Sequence, residues 1–456
     1  MTRHEFDVVV LGGGSGGYAA AIRATELGKT VALIEKDKVG GTCLHRGCVP
    51  TKALLHTAEI ADHVREAASV GVDAALTGFD TARMTAYREG IVAKKYRGLQ
   101  SLLSTRGITV VGGAGRLGPD RTVLVGDDEY VGADVVLATG SQTRSLPGIE
   151  AGPRVLTSET ALTLDVIPSS VVVLGGGVIG VEFASAWRSL GSEVLIVEAL
   201  DRLLPAEDAA SSKALERAYR KRGIQSALST RCEAVSERED GVSVSLSDGR
   251  TVEADFVLVA VGRGPVTEGL GFDEAGVTRD RGFVVVDADL QTTAPHVWAV
   301  GDIVPGLQLA HRSFQQGIFV AERIAGLSPI PVPESTIPRV SYSHPEVASV
   351  GLTEAQAREA HGDRVVSFEF NLAGNAKSEI LGTAGFAKVV RIADGPVVGV
   401  HLVGDRVGEL ITEGQLAIGW EAHPEDIAPF VHAHPTQSEA LGEAFLALAG
   451  KPLHTI

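Results

Sequence analysis

Apolar residues along this chain fall into short runs closed by glycine, and one arrangement of them occurs twice. Phe6-Asp7-Val8-Val9-Val10-Leu11 reads as a strand, Gly12-Gly13-Gly14-Ser15-Gly16-Gly17 as a turn, and the alanine-rich stretch to about Gly28 as a helix. A second strand, Thr30 to Ile34, ends at Glu35. The same order returns in Ser170 to Leu174, Gly175-Gly176-Gly177-Val178-Ile179-Gly180, a helix from Val181 to Leu190, and a strand from Glu193 to Val197 ending at Glu198. Both first strands lead into Leu-Gly-Gly-Gly. The spacing predicts two βαβ units with parallel sheets, hence two related dinucleotide-binding halves.

The texture changes beyond Pro329, Pro331, Pro333 and Pro338, where proline marks a linker. Phe386 to Ile392 and Val397 to Val403 flank Ala393-Asp394-Gly395-Pro396, a hairpin signal within an antiparallel sheet. Two helices, about Val407–Trp420 and Thr436–Ala449, complete an α+β region. A chain of 456 residues has room for about three domains, since one takes roughly 100–200 residues.

Composition narrows the field. Hydrophobic residues at 44% and charged residues at 21% are an ordinary globular balance, which sets disordered and fibrous classes aside. A formal net charge of −16 argues against nucleic acid or an anionic membrane as partner through bulk electrostatics, and leaves room for an acidic patch facing a basic segment. No stretch reaches the ~20 apolar residues of a membrane span. The charged opening, Met1 to Glu5, is unlike a signal peptide, and three cysteines are too few for a secreted disulfide framework, so a cytoplasmic location is expected.

Gly12, Gly14 and Gly17 stand at G-x-G-x-x-G spacing between strand and helix, and Gly175, Gly177 and Gly180 repeat it. The first glycine makes the turn, the second lets backbone approach a pyrophosphate, and the third lets helix and strand pack closely. Glu35 and Glu198 are placed to accept hydrogen bonds from a ribose. A carboxylate at Glu198, followed by Ala199 and Leu200 rather than arginine, opposes a 2′-phosphate and favours NAD over NADP, although Arg202 lies near in sequence.

Cys43-Leu44-His45-Arg46-Gly47-Cys48 is the sharpest chemical feature. On a regular helix, residues five apart have Cα atoms roughly 8–9 Å apart, whereas a disulfide needs about 4.4–6.8 Å. The segment must therefore leave helical geometry if the pair bonds, and Gly47 and Pro50 allow it. Lys52 shares a helix face with Cys48 if a helix runs on from there, and its charge favours thiolate. Two buried cysteines that never bond are the bland alternative. Zinc fits poorly, because further nearby ligands are lacking.

The segment Gly40-Gly41-Thr42-Cys43-Leu44-His45-Arg46-Gly47-Cys48-Val49-Pro50-Thr51-Lys52 closely resembles the active-site signature of the FAD-dependent pyridine nucleotide–disulfide oxidoreductases. The resemblance runs essentially end to end. Ala138-Thr139-Gly140 and Ala299-Val300-Gly301-Asp302 are similar to that family's remaining FAD-domain motifs, Val261-Gly262-Arg263 to its central hinge, and His432-Ala433-His434-Pro435-Thr436-Gln437-Ser438-Glu439 to its terminal motif. It implies an α/β fold of two Rossmann-like domains, for FAD and NAD, plus a C-terminal α+β dimerisation domain. The implied division is 1–149 and 271–337 for FAD, 150–270 for NAD, and 338–456 for the interface.

The same resemblance implies roles. Cys43 is the interchange thiol and Cys48 the charge-transfer thiolate against the isoalloxazine. Lys52 approaches the reactive flavin nitrogen and pairs with Glu182. His434 is the general base, oriented by Glu439, and acts across a homodimer on the other subunit's cysteines; His434–Pro435 is expected to be cis. Beyond the glycine turns, Glu35 and Glu198, the implied cofactor contacts are Lys36, Gly41, Thr42, Lys52, Gly115, Thr139, Gly140, Ser141, Val178, Ile179, Val261, Gly262, Arg263, Gly301, Asp302, Leu309, Ala310 and His311. His311 near the flavin or a substrate channel stands beside a plain packing role. His432, His344, His401 and His423 read as structural, and Cys232 as an inert thiol.

Within the family, Gly450 to Ile456 carries no terminal cysteine pair, Glu198 opposes NADPH, and Lys377 and Ala310-His311 fit the branch that oxidises dihydrolipoamide. The implied reaction passes electrons from dihydrolipoamide, on the lipoyl domains of a dihydrolipoyl acyltransferase of 2-oxoacid dehydrogenase complexes, through a Cys43–Cys48 disulfide and FAD to NAD. An NADH-dependent reductase of another small disulfide or a quinone is the alternative. One departure is Gly264-Pro265-Val266, where many relatives have Asn after Pro, which bears on how the hinge is hydrogen-bonded.

Overall fold

The computed structural model describes residues 2–455; Met1 and Ile456, at the ends of the expected segments 1–149 and 338–456, lie outside the described residues. The chain forms two compact units. One comprises Met1–Ala53, Ala82–Arg144 and Gly262–Glu334; the other comprises Leu54–Thr81, Ser145–Val261 and Ser335–Ile456.

In the first unit a seven-stranded sheet runs in the order Thr109–Gly112, Val31–Glu35, Thr2–Leu11, Asp128–Leu137, Thr122–Val125, Gly115–Leu117, with Val297–Ala299 also pairing on Asp128–Leu137. The pairings around Thr2–Leu11 are parallel. Its apolar run is continuous because alternate side chains enter different cores. Val8 and Val10 pack with Ala20, Ala24 and Phe319, while Val9 and Leu11 pack with Ile34, Val123 and Phe272. Val8 to Leu11 are buried, each contributing on the order of 1.5–3 kcal/mol.

In the second unit a five-stranded parallel sheet has the order Gln225–Ala227, Glu193–Val197, Ser170–Leu174, Phe256–Val259, Val155–Thr157. An antiparallel sheet of five strands, Arg339–Ser341, Glu346–Gly351, Val397–Gly404, Phe386–Ile392 and Val365–Asn371, carries the helices Ile411–Gly419 and Glu439–Leu448 on its core. The hairpin expected at 393–396 is present, with Asp394 at φ +55°.

Some expected bounds shift for local reasons. The helix expected from Thr436 starts at Glu439, because Glu439 turns back to accept the Thr436 amide at 2.8 Å. The expected Val407–Trp420 helix divides into a 3-10 turn, Val407–Glu409, and the helix Ile411–Gly419. The 25-residue helix Thr81–Thr105 was not anticipated; only Leu103 in it is fully buried. Among the described residues no helix is long and apolar enough to cross a membrane.

A buried ionic cluster ties strands to helices in the second unit. Lys388, on Phe386–Ile392, lies 2.8 Å from both Asp208 and Glu354. Asp208 caps the helix Ala209–Arg222 through the Ala210 amide at 3.0 Å and accepts the Glu354 amide at 2.9 Å. Burial pushes the Glu354 carboxyl up, but hydrogen bonds from Lys388 and Arg358 outweigh it and hold the group at about 2. A carboxyl depressed in the folded state adds stability above its unfolded value, and that stability disappears as pH falls from about 4.5 toward 2. Lys388→Met leaves the buried Asp208 carboxylate without its cation, while Glu354 keeps Arg358, and is expected to cost about 3 kcal/mol. Calorimetry should show a lower Tm at neutral pH and a smaller loss on acidification; an unchanged Tm contradicts the assignment.

Candidate active site and dinucleotide turns

The first glycine turn is built by close backbone contacts. Gly12, at φ +107°, donates its amide to Ile34 O at 2.8 Å, and a β-carbon there would meet Ala138 O at 2.2 Å. A β-carbon on Gly17 would sit 1.8 Å from Gly12 O, so the helix Ser15–Glu26 backs directly onto the turn. At Gly14 a β-carbon would meet nothing within 4 Å, which leaves its face open to a ligand. Glu35 accepts the Gly13 amide at 2.7 Å and the Asp37 amide at 2.9 Å. A cavity of about 440 Å³ lies beside it, lined by Glu35, Asp37, Val39, Tyr96, Leu103 and Gly112 among others.

The second turn repeats this geometry. Gly175, at φ +108°, donates to Val197 O at 2.8 Å and lies against Ala260 O, while Gly180 backs onto Gly175 O and Gly177 faces open space. Glu198, nearly buried, accepts the Gly176 amide at 2.6 Å and the Leu200 amide at 2.8 Å. Arg202 donates to its own loop, at Pro205 O, 3.1 Å away. An open second glycine beside a carboxylate at the next strand's end fits a dinucleotide at each turn, and the buried Glu198 charge suits a ribose without a 2′-phosphate.

The cysteine segment is seated on the first turn. Gly40 donates to Gly13 O at 2.7 Å, and a β-carbon on Gly41, at φ +58°, would come 2.8 Å from Gly14 Cα. Only glycine fits that approach. A short helix, Gly41–His45, carries Thr42 and Cys43, then stops at Arg46 (φ −140°), and a new helix, Cys48–Glu66, begins after Gly47. The break lets the two thiols meet. The Cys43 thiol is pushed up by its hydrogen bond to Cys48, then by burial and the Cys48 charge, and Lys52, one turn into the new helix, pulls the other way. Within the pair Cys43 donates the hydrogen bond and Cys48 accepts it. The pair stands as thiols, Cys43 half-buried and Cys48 exposed, so the burial expected in the bland reading is not met at either position.

A polar clamp closes the same unit. Ser141 donates to Asp302 at 2.5 Å, and Arg263 donates to the Ser141 hydroxyl and carbonyl, both at 2.7 Å. Thr139 donates to Val266 O at 2.6 Å, and the Val266 amide donates to Gly140 O at 2.8 Å. The hinge bonds at position 266 are thus main-chain bonds, and no asparagine side chain is required. Gly301 donates to Gln316 at 2.8 Å. Leu309 and Ala310 are half-buried, whereas His311, Lys36 and Gly262 are exposed; Gly115 packs on Leu11 and Ile34.

His434 lies in the second unit, on an irregular segment ahead of the helix Glu439–Leu448. Its Nδ1 is 2.8 Å from Glu439, its side chain is 74% exposed, and His434–Pro435 is cis. Burial alone raises the Glu439 carboxyl, but the Thr436 amide and His434 bring it below its ordinary value. Glu182, on the helix Val178–Leu190, accepts the Tyr342 amide at 2.9 Å, with Val178 and Ile179 opening that helix and Val261 ending the unit's middle stretch. The cysteines, Lys52 and the Asp302 clamp belong to one unit; Glu182, Glu198, His434 and Glu439 belong to the other. Sequence reasoning missed Tyr18, the residue after the third glycine. Burial, and then the charges of Cys43 and Cys48, push its hydroxyl up to about 12. It missed the His344–Pro345 cis bond as well.

Two dinucleotide turns and a dithiol on a broken helix define a two-nucleotide oxidoreductase. The chain belongs to the pyridine nucleotide-disulphide oxidoreductase family: that family's model matches residues 6–317, and its dimerisation domain matches residues 337–445. It is an oxidoreductase that uses FAD and NAD, and its dimerisation domain supports a homodimer. Dihydrolipoyl dehydrogenase of Bacillus subtilis is 40% identical over 99% of both chains, and the mitochondrial dihydrolipoyl dehydrogenase of Pisum sativum is 38% identical over 99% of this chain and 93% of its own. Among solved structures, LpdA of Mycobacterium tuberculosis gives a TM-score of 0.91 at 28% identity, covering 98% of this chain and 100% of that one. The HOCl-induced flavoprotein disulfide reductase RclA of Escherichia coli gives 0.86 at 29%, covering 96% and 99%.

The two turns should fail separately. Gly17→Ala, whose new carbon collides with Gly12 O, is expected to yield protein largely without flavin absorbance. Gly180→Ala is expected to keep its flavin and weaken NADH binding by about tenfold or more, measured by titration. Equal NADH affinity in Gly180→Ala would contradict the second turn as the nicotinamide site.

Proposed function

We propose that this enzyme carries out the dihydrolipoyl dehydrogenase reaction, oxidising protein-bound dihydrolipoamide to lipoamide and reducing NAD. The observation that carries this reading is the Cys43 thiol hydrogen-bonded to Cys48 across a helix break, seated on the open first turn, with Lys52 on the following turn. The names of relatives that match nearly the whole chain support the substrate.

In the reaction, His434 takes a proton from a lipoyl thiol at Nε2, since Nδ1 is held by Glu439. The resulting thiolate attacks Cys43 in a Cys43–Cys48 disulfide, forming a mixed disulfide and releasing Cys48 as thiolate. Lys52 stabilises that negative charge. The second lipoyl thiol then displaces Cys43 and gives its proton to the departing Cys43 sulfur, so lipoamide leaves oxidised, the first proton stays on His434, and the cysteine pair is left reduced. FAD and NAD, when bound, would supply the two-electron chemistry by which the cysteine pair is reoxidised. Gly12, Gly14, Gly17, Glu35 and Asp302 would hold FAD; Gly175, Gly177, Gly180 and Glu198 would hold NAD.

The partners in this reading are a second copy of the chain, whose His434 faces the first copy's cysteines, and the lipoyl domains of a dihydrolipoyl acyltransferase in a 2-oxoacid dehydrogenase complex. The location is the cytoplasm. Residues 1–149 and 271–337 serve FAD, 150–270 NAD, and 338–456 the interface. The likeness to RclA, a flavoprotein disulfide reductase, favours one other reading, NADH-driven reduction of a different disulfide.

Steady-state assay with dihydrolipoamide and NAD decides between them. Cys43→Ser and Cys48→Ser should each bring turnover to background, and His434→Gln should lower it by about 10²–10⁴-fold. Full activity in either cysteine variant would contradict the mechanism; no dihydrolipoamide turnover by the parent enzyme would favour the second reading.

A further inference from the structure

We propose that His432 and Glu413 form a second histidine–carboxylate pair, which positions the segment carrying His434 and balances the charge around it. The inference rests on the reading of His434 as the base.

The two histidines stand two residues apart on one irregular segment, and each is gripped by a carboxylate from a different helix. His432 Nε2 lies 2.8 Å from Glu413, on Ile411–Gly419, while His434 Nδ1 lies 2.8 Å from Glu439, at the start of Glu439–Leu448. Their exposures divide the labour. The His434 side chain is 74% exposed and able to meet a substrate; that of His432 is 16% exposed. The helix presses on the His432 ring, for a β-carbon on Gly442 would lie 2.6 Å from its Nδ1. Any larger residue there would push the ring from Glu413.

Charge completes the argument. The hydrogen bond that the His432 ring donates to Glu413 raises its proton affinity; burial opposes it, and the charges of Glu413 and Glu439 add to the rise. In turn the His432 charge is among the influences holding the Glu439 carboxyl down. Three other carboxylates on neighbouring elements have partners of their own: Glu425 with Arg391 at 2.7 Å, Asp426 with the His423 amide at 2.8 Å, and Glu443 with His454 at 2.7 Å. A protonated His432 paired with Glu413 is neutral overall, which leaves Glu439 as the carboxylate in contact with His434. Without His432, Glu413 adds a second negative charge, which makes the base harder to deprotonate.

The test uses full-length, FAD-loaded enzyme and the pH profile of kcat/KM for dihydrolipoamide. His432→Gln keeps a donor for Glu413 but removes the charge, and its acidic limb should move up by about 0.5–1 pH unit. The double variant His432→Gln/Glu413→Gln should return the limb to the parent position, which a merely structural role would not do. Glu413→Gln alone should leave the limb in place and lower the midpoint at which the His432 ring takes up its proton, followed by NMR. An unmoved limb in His432→Gln, or a double variant that stays displaced, overturns the proposal. If the parent does not turn over dihydrolipoamide, the functional reading fails instead. NMR titration of the His434 ring then decides this inference: the same upward displacement in His432→Gln supports it, and none sinks it.

Discussion

Two sulfurs five residues apart can meet only where the helix between them breaks, and much of the first unit is arranged around that break. Gly47 interrupts the helix, Cys48 restarts it, and Lys52 falls on the restarted helix where its charge acts on the pair. The other end of the segment is pinned by Gly40 and Gly41, pressed onto Gly13 and Gly14. The contact that seats the thiols is therefore also a contact with the dinucleotide turn. In the proposed reaction, redox chemistry and cofactor binding share one piece of backbone.

The second turn shows how little of this construction depends on the cysteines. Its first and third glycines approach the same kinds of carbonyl, its middle glycine donates to the same kind of carboxylate, and its second glycine is equally open. What differs is the company. Glu35 borders a cavity and an exposed Asp37, whereas Glu198 is almost fully buried. One backbone solution, repeated, thus serves two nucleotides, and side chains around it provide the distinction.

The repeat and the dithiol were legible in sequence because glycine, strand ends and cysteine spacing are local signals. Ser170–Leu174, Glu193–Val197 and Phe386–Ile392 match their expected bounds to the residue. What was hidden depends on side-chain and main-chain contacts that no local pattern announces. Thr436 to Ser438 look helical until the Glu439 side chain takes the Thr436 amide. The helix Thr81–Thr105 is mostly exposed, so no strong apolar stripe announces it. Val266 looked like a departure, yet the hinge uses its amide and carbonyl, which any residue but proline could supply. His432 read as bland because its partner, Glu413, lies 19 positions away.

The central claim is that Cys43 and Cys48 cycle between disulfide and dithiol under the control of bound cofactors. Counting alkylatable thiols by mass spectrometry tests it most directly. The chain has three cysteines, so the oxidised protein, denatured in alkylating reagent, should take one label, at Cys232, and three after anaerobic incubation with NADH. Three labels before NADH, or one label after it, would contradict the account.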